Sequence, residues 1–169
     1  VTNGWSIFKQ ALEEAPFADL DGTWEEFYTR QRDRKSRYNL RRSARLLDSM
    51  GRVDIVHYST PEEVDQNLDD AFHLYSNRQR GLRSIWSFNG EIGQTFYRAV
   101  AIAFAQRGMM DLTFLKVDDV PVAFVYGLRH EGIYYYYKVG VTSSVDILRF
   151  SPGSILLEHL LEQAFTDGL

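Results

Sequence analysis

Apolar side chains recur along this chain in two periods, and the switches between periods divide it into elements. Thr23-Trp24-Glu25-Glu26 carries the signature of a capping box. In such a box a Thr hydroxyl accepts from a free helix N–H, and a Glu three residues on reaches back. A helix is predicted to start there. Periodicity is weak through the basic stretch that follows, then resumes with Leu40, Ala44 and Leu47 at i, i+4 and i+7, and Gly51 ends the helix. Val53 to Tyr58 alternates, with Val53 and Ile55 inward against Asp54, and reads as a short strand. Thr60-Pro61-Glu62-Glu63 is a second capping box with proline at the first helical position. Val64, Leu68, Ala71, Phe72 and Tyr75 follow at helical spacing, so this helix is predicted to reach Arg78 or Arg80, with Gly81 stopping it. Residues 83–91 read as a loop carrying Trp86 and Phe88. Ile92, Phe96, Val100, Ala103 and Phe104 then mark an amphipathic helix closed by Gly108.

Leu112, Phe114 and Val117 open a run of strands. A two-residue Asp118-Asp119 connection leads to a returning strand over Pro121 to Arg129, with the proline near its start, where a lost donor is tolerated. His130-Glu131-Gly132 turns into a third strand from Ile133 to Val141 that contains Tyr134-Tyr135-Tyr136-Tyr137. Strand alternation sends two of these tyrosines to the core and two to a cleft or solvent. Three strands joined by tight turns make an antiparallel meander. Ser151-Pro152-Gly153 opens a last helix with Leu156, Leu157, Leu160, Leu161, Ala164 and Phe165, closed by Gly168. The order is helix pair, strand, helix, helix, three-strand meander, helix. It predicts an α+β fold, a mixed but mostly antiparallel sheet flanked by helices.

Composition narrows the function classes. The chain has 169 residues, 44% hydrophobic and 14% aromatic, which is globular rather than disordered. The longest apolar run, Ala99 to Ala105, is too short to span a bilayer, and no secretory signal opens the sequence. With no cysteine, a disulfide scaffold, a cysteine nucleophile and a thiolate metal site are excluded. The four histidines match no metal-ligand spacing, so no metal is predicted. Neither a disulfide nor a secretory signal argues against a cytoplasmic location, which is the expectation. The chain begins at Val1 without Met, so it is expected to be an internal piece of something longer.

The net charge of −4 is unevenly spread. Arg30, Arg32, Arg34, Lys35, Arg37, Arg41, Arg42 and Arg45 crowd into sixteen positions, opposed only by Asp33. Such a run is either a solvated helix face or an anion site for a phosphate, a carboxylate or RNA. Arg37 and Arg41, four apart on one face, could grip a single anion together. A second candidate anion site is Arg149-Phe150-Ser151-Pro152-Gly153-Ser154. There Ser151 can cap, Pro152 fixes the first helical φ and Gly153 leaves the backbone open to close approach. First-turn N–H groups lack intrahelical partners and sit at the positive end of the helix dipole, so they suit a pyrophosphate. An ordinary helix start after a loop explains the same residues.

The order of elements resembles the first two thirds of the GNAT acyltransferase fold, in which a βααβββ run leads into a helix whose N-terminal loop holds the pyrophosphate of coenzyme A. Four stretches sharpen the likeness: Lys35 to Arg42, Val120-Pro121-Val122-Ala123, Tyr134 to Gly140, and Arg149 to Leu157. In this order they resemble the GNAT branch associated with cellulose biosynthesis, akin to FemAB-type peptidyltransferases. The resemblance covers Trp24 to Gly168. It implies an N-terminal helical segment with the basic stretch over residues 1–50 and a GNAT-like acyltransferase domain over residues 51–169. It also implies an enzyme that transfers an acyl group from acetyl-CoA or another acyl-CoA to an amine or hydroxyl, the acceptor being a small molecule, a saccharide or an amino acid. Pyrophosphate would sit on the amides of Ser151, Gly153, Ser154 and Ile155 beside Arg149, and pantetheine would run along Val139-Gly140-Val141. Acceptor contacts would come from Arg37, Arg41, Arg78 and Lys138. The acceptor amine would attack the thioester carbonyl directly, with the protein supplying position and oxyanion hydrogen bonds.

The sequence departs from the family pattern in places. Pro152 stands where glycine is common, Gly140-Val141-Thr142 replaces a Gly-Tyr-Asp, and near the first core helix only Arg78 is kept of the usual His and Arg-Trp. The family fold continues past the cradle helix with another strand, a helix and a hairpin that often carries a Tyr general acid. This chain is therefore expected to be truncated at its C-terminus, and no catalytic residue is assigned. His130 and Glu131, in a Gly-containing turn, read as solvated turn residues. Two other classes fit: a FemAB-like transfer from aminoacyl-tRNA, with the basic stretch touching RNA, and a degenerate non-catalytic GNAT module. Otherwise nucleic acid is not an expected partner, and a homodimer is allowed.

Overall fold

The computed structural model describes residues 17–78, 85 and 87–169. Helices α1 (Trp24–Gln31) and α2 (Arg34–Asp48) lead into strand β1 (Val53–Tyr58). Helices α3 (Pro61–Arg78) and α4 (Glu91–Ala105) follow, then strands β2 (Met110–Val117), β3 (Val120–His130) and β4 (Ile133–Val141). A short helix α5 (Val145–Leu148) precedes α6 (Pro152–Asp167). Both capping boxes form. Glu26 N–H donates to Thr23 Oγ1 and Thr23 N–H to Glu26 Oε2, and Thr60 and Glu63 repeat the exchange at α3. The basic stretch, weakly helical by pattern, is helix from Arg34 onward. Asp33 caps it, accepting from the Ser36 N–H at 2.8 Å and the Ser36 hydroxyl at 3.0 Å. Its periodicity is faint because only Leu40 and Leu47, two turns apart, are buried.

The four strands form one sheet in the order β1-β2-β3-β4, each pair antiparallel. Both hairpin turns place two residues at positive φ, Asp118 and Asp119 in one and Glu131 and Gly132 in the other. That is the twist-matched geometry of a two-residue β-hairpin. On one face α3 and α4 pack Leu68, Phe72 and Ala101 against Leu112, Phe114, Phe124 and Tyr126, with Phe88 from the preceding loop. On the other, Leu47 of α2 and Leu156 and Leu160 of α6 meet Leu115, Val117 and Val125. Leu47 thus ties α2 into the same core as the sheet. Strands β2 and β3 are covered on both faces, as central strands are.

Three expectations need correction. Helix α4 buries Gly93, Ala101 and Ala105 and leaves Ile92 and Phe96 exposed, so its inner face is rotated from the one the large apolar residues mark. The preceding loop sets that rotation, since the Ile92 and Gly93 N–H groups both bond to the Ile85 carbonyl. The tyrosine run does not alternate two and two. Gly127 pairs with Tyr136 and Tyr126 with Lys138, leaving Tyr137 as an extra residue in a β-bulge. Tyr135, Tyr136 and Tyr137 are exposed, and Tyr134 alone is largely covered. Helix α5 had no sequence signal, and Trp86 and Gly81 lie outside the described residues.

Candidate active site

Helices α5 and α6 are joined almost without a loop, and this shapes the start of α6. Phe150 is buried in the core and anchors the junction. The Ser151 N–H closes the α5 turn on the Leu148 carbonyl at 2.9 Å, and the Ser151 carbonyl accepts from the N–H groups of Ser154 and Ile155. To serve both helices Ser151 adopts a left-handed backbone, φ 54°, and its side chain makes no cap. The expected hydroxyl cap is therefore replaced by backbone turning. Pro152 has no N–H to leave unpaired. The Gly153 N–H has no hydrogen-bond acceptor among the described residues. It is the open donor of the first turn, whereas the amides of Ser151, Ser154 and Ile155 already bond to carbonyls.

Gly153 faces the edge of the sheet. Strand β4 is the last in the sheet order, so its outer edge has no strand partner among the described residues. Between that edge and α6 lies a cavity of about 240 Å³ lined by Phe124, Tyr136, Val139, Gly140, Val141, Gly153 and Leu156. It brings together Val139, Gly140, Val141 and Gly153 from two separate stretches of sequence. Both glycines keep it open. A Cβ on Gly153 would come within 3.1 Å of Val141 Cγ1, and one on Gly140 would strike Phe124 and the α3 backbone. Arg149 does not line the cavity; it is exposed, its guanidinium 4.6 Å from the Phe150 ring centroid.

The bulge in β4 puts two successive side chains on the α4 side. The Lys138 ammonium lies 4.4 Å from the Tyr137 ring centroid and 5.6 Å from that of Tyr97, and the Tyr97 and Tyr137 hydroxyls are 3.4 Å apart. Lys138 makes no salt bridge among the described residues. It is one residue from the cavity wall. Sequence reasoning missed this pairing with Tyr97, because nothing in a strand pattern announces a bulge. Arg37 and Arg41 do share a face, as expected, but one turned toward α1: Arg37 donates to the Thr29 hydroxyl at 2.5 Å, and Arg41 sits over the Tyr28 ring. Neither lines the cavity. The Arg78 side chain lies outside what the structure describes. His130 and Glu131 are exposed on their turn.

A second polar cluster lies on the α6 face of the sheet, nearer β1. Asp111, buried in β2, accepts from Thr113 at 2.9 Å and from Arg129 at 3.1 Å, and its Oδ1 lies 2.9 Å from His57 Nδ1. Arg129 also bridges to Asp167 at the end of α6. The His159 ring of α6 packs on His57 with centroids 5.8 Å apart. Burial alone would raise the Asp111 carboxyl, but the bond and charge of His57, with Thr113 and Arg129, outweigh it and hold the carboxyl below its ordinary value. Burial, and then the charge of His57, push His159 below the ordinary histidine value of 6.5. The sign follows from linkage: the unfolded chain takes up a proton at His159 before the folded one does. Stability is thus full above about pH 7 and falls as pH drops below about 6.5. A second decline, from Asp111, begins in the carboxylate range. Urea midpoints measured from pH 8 to pH 5 should show the first decline, and His159→Gln should remove most of it. An unchanged slope in that variant would refute the assignment.

Residues 34–169 match the family described as Acetyltransferase (GNAT) domain. No curated protein and no solved structure matches the chain. Among the described residues no helix is long and apolar enough to cross a membrane. The match runs from the start of α2 through the bulged strand and the cavity to the end of α6, across every element that builds the site, and the chain therefore belongs to the GNAT acetyltransferase family.

Proposed function

We propose that this chain is an acyl-CoA-dependent acyltransferase, and that the cavity between β4 and α6 receives the donor. One observation carries the reading: a single cavity is lined both by the end of β4, an edge strand among the described residues, and by Gly153, whose N–H is open at the start of α6. The amide groups of a pantetheine arm can pair with an unpaired strand edge, and a helix N-terminus favours the anionic pyrophosphate beyond it. Val139, Gly140 and Val141 would hold the arm. Gly153 would take the pyrophosphate first, with Ser151, Ser154 and Ile155 shaping the turn and Arg149 adding positive charge close by. Bound acyl-CoA supplies an activated thioester carbonyl. The protein's part is to orient the acceptor amine or hydroxyl toward it and to exclude water. Lys138, held over Tyr97 and Tyr137 one residue from the cavity wall, would contact the acceptor. The four sequence stretches named above support the branch associated with cellulose biosynthesis, and a coenzyme A donor supports a cytoplasmic reaction.

Two measurements test this. Acetyl-CoA at about 100 times its dissociation constant should stabilise the domain by about 2.7 kcal/mol. Gly153→Val should weaken acetyl-CoA binding at least tenfold in a titration, because branched carbons would stand where phosphate must approach the backbone. Its effect on folding should be modest: replacing a helical glycine by β-branched valine gains about 0.4 kcal/mol, and crowding Val141 costs about 1 kcal/mol. Equal affinity in parent and variant would place the pyrophosphate elsewhere.

A further inference from the structure

The outward face of α2 carries chemistry that the acyltransferase reading leaves unused. At 3.6 residues per turn, Arg34, Lys35, Arg41 and Arg42 stand at i−4, i−3, i+3 and i+4 from Tyr38, and Arg45 extends the row by a turn. Tyr38 is 63% exposed. All five basic residues are exposed, and none makes a salt bridge among the described residues. Among the described residues the carboxylates of α2 and its cap are Asp33, occupied in capping, and Asp48 at the far end; Glu158 of α6 lies on the inner side of α2, beside Asp33, Ser36 and Tyr28. A solvated helix face commonly interleaves both signs, and its aromatic residues turn inward. Here an aromatic ring stands outward, surrounded by cations, on a chain whose net charge is negative.

We propose that this face of α2 binds single-stranded nucleic acid, with a base stacked on Tyr38 and the flanking phosphates held by Arg34, Lys35, Arg42 and Arg45, while Arg41, over the Tyr28 ring, borders the face on the α1 side. A ring for the base and a row of cations for the backbone are the two parts a single strand needs. Three of these four cations are arginines, whose planar fork matches phosphate oxygens in pairs. From Arg34 to Arg45 the helix rises about 16 Å, room for several successive phosphates. A membrane surface is the poorer match. A helix that lies on lipid buries an apolar face in it, and the apolar face of α2, Leu40 and Leu47, is already spent on the protein core. This surface lies on α2, away from the β4–α6 cavity, so it is independent of acyl-CoA binding.

The test is fluorescence anisotropy of the full chain with a labelled 10-nucleotide RNA of mixed sequence. Titrations between 50 and 200 mM salt should show affinity falling steeply, as release of counterions from about three phosphates requires. Arg42→Glu with Arg45→Glu should weaken binding at least tenfold while leaving the thermal midpoint and acetyl-CoA titration unchanged, since exposed charges contribute little to stability. Tyr38→Ala should weaken binding about tenfold, Tyr38→Phe should retain it, and an abasic strand should bind the parent as weakly as the normal strand binds Tyr38→Ala. Absence of binding at 100 µM protein overturns the proposal. So does binding that survives the double charge reversal. Tighter capture of vesicles rich in phosphatidylglycerol, or of heparin, with no effect of Tyr38→Ala, would also overturn it, because that is charge attraction without a stacked base.

Discussion

Asp111→Ala is expected to destabilise the domain by about 3–5 kcal/mol, the cost typical of removing one member of a buried, hydrogen-bonded charge cluster. The carboxylate sits in central strand β2 with its side chain 5% exposed, and Thr113, Arg129 and the His57 ring converge on it. Without it the inner side of the Arg129 guanidinium loses its acceptor, and the Thr113 hydroxyl is left with His57 Nδ1, 3.0 Å away, in a region water reaches poorly. Arg129 keeps Asp167, so the end of α6 should stay tethered while the sheet beneath it loosens. Asp111→Asn, which preserves shape and one acceptor, should cost less than alanine. A shift of the urea midpoint worth under 1 kcal/mol for Asp111→Ala would mean the cluster is solvated and contributes nothing. The two variants should also keep the parent's acetyl-CoA affinity wherever they remain folded, because the cluster is separate from the cavity.

Gly140→Ala should cost about 3 kcal/mol, at the upper end of the usual cost of overpacking, and for a reason that glycine flexibility does not supply. The backbone at Gly140 has no need of positive φ. What it needs is room: an added Cβ would lie 2.5 Å from Phe124 Cε1 and 2.9 Å from both the Leu74 carbonyl carbon and the Tyr75 nitrogen. The phenylalanine ring can tilt, but the other two atoms are backbone of α3 and cannot rotate away. The variant must push α3 off β4, opening the core that Leu74 and Phe88 fill. Denaturation should therefore show the loss, and it should exceed that of Gly153→Ala, whose only close contact is the tip of Val141. If both alanines unfold at the parent's urea midpoint, β4 and α3 are not this close.

Most of the elements were legible in the residues alone, because their signals are local. Two capping boxes, the positions of Pro61 and Pro152, and the turn residues at 118–119 and 131–132 each act within four residues of themselves. They located the starts of α1, α3 and α6 and both hairpins. The α+β order was legible for the same reason. In the site, Gly153 and the Val139-Gly140-Val141 strand end were legible as separate stretches; their meeting across one cleft was implied by resemblance rather than by any pattern in the residues. What only the tertiary structure decided depends on contacts between stretches far apart in sequence. The bulge that turns Tyr137 and Lys138 together toward Tyr97 arises from the register of β4 on β3. The union of His57, Asp111, Arg129 and His159 needs β1, β2, β3 and α6 packed at once. Ser151 reads as a cap in sequence but becomes a left-handed joint because α5 ends on its N–H. Gly140, expected only as part of the strand end beside the pantetheine arm, turns out to be a seat for α3. Local chemistry sets where an element begins; which of its side chains can meet is fixed only when the sheet and its two helical layers close around them.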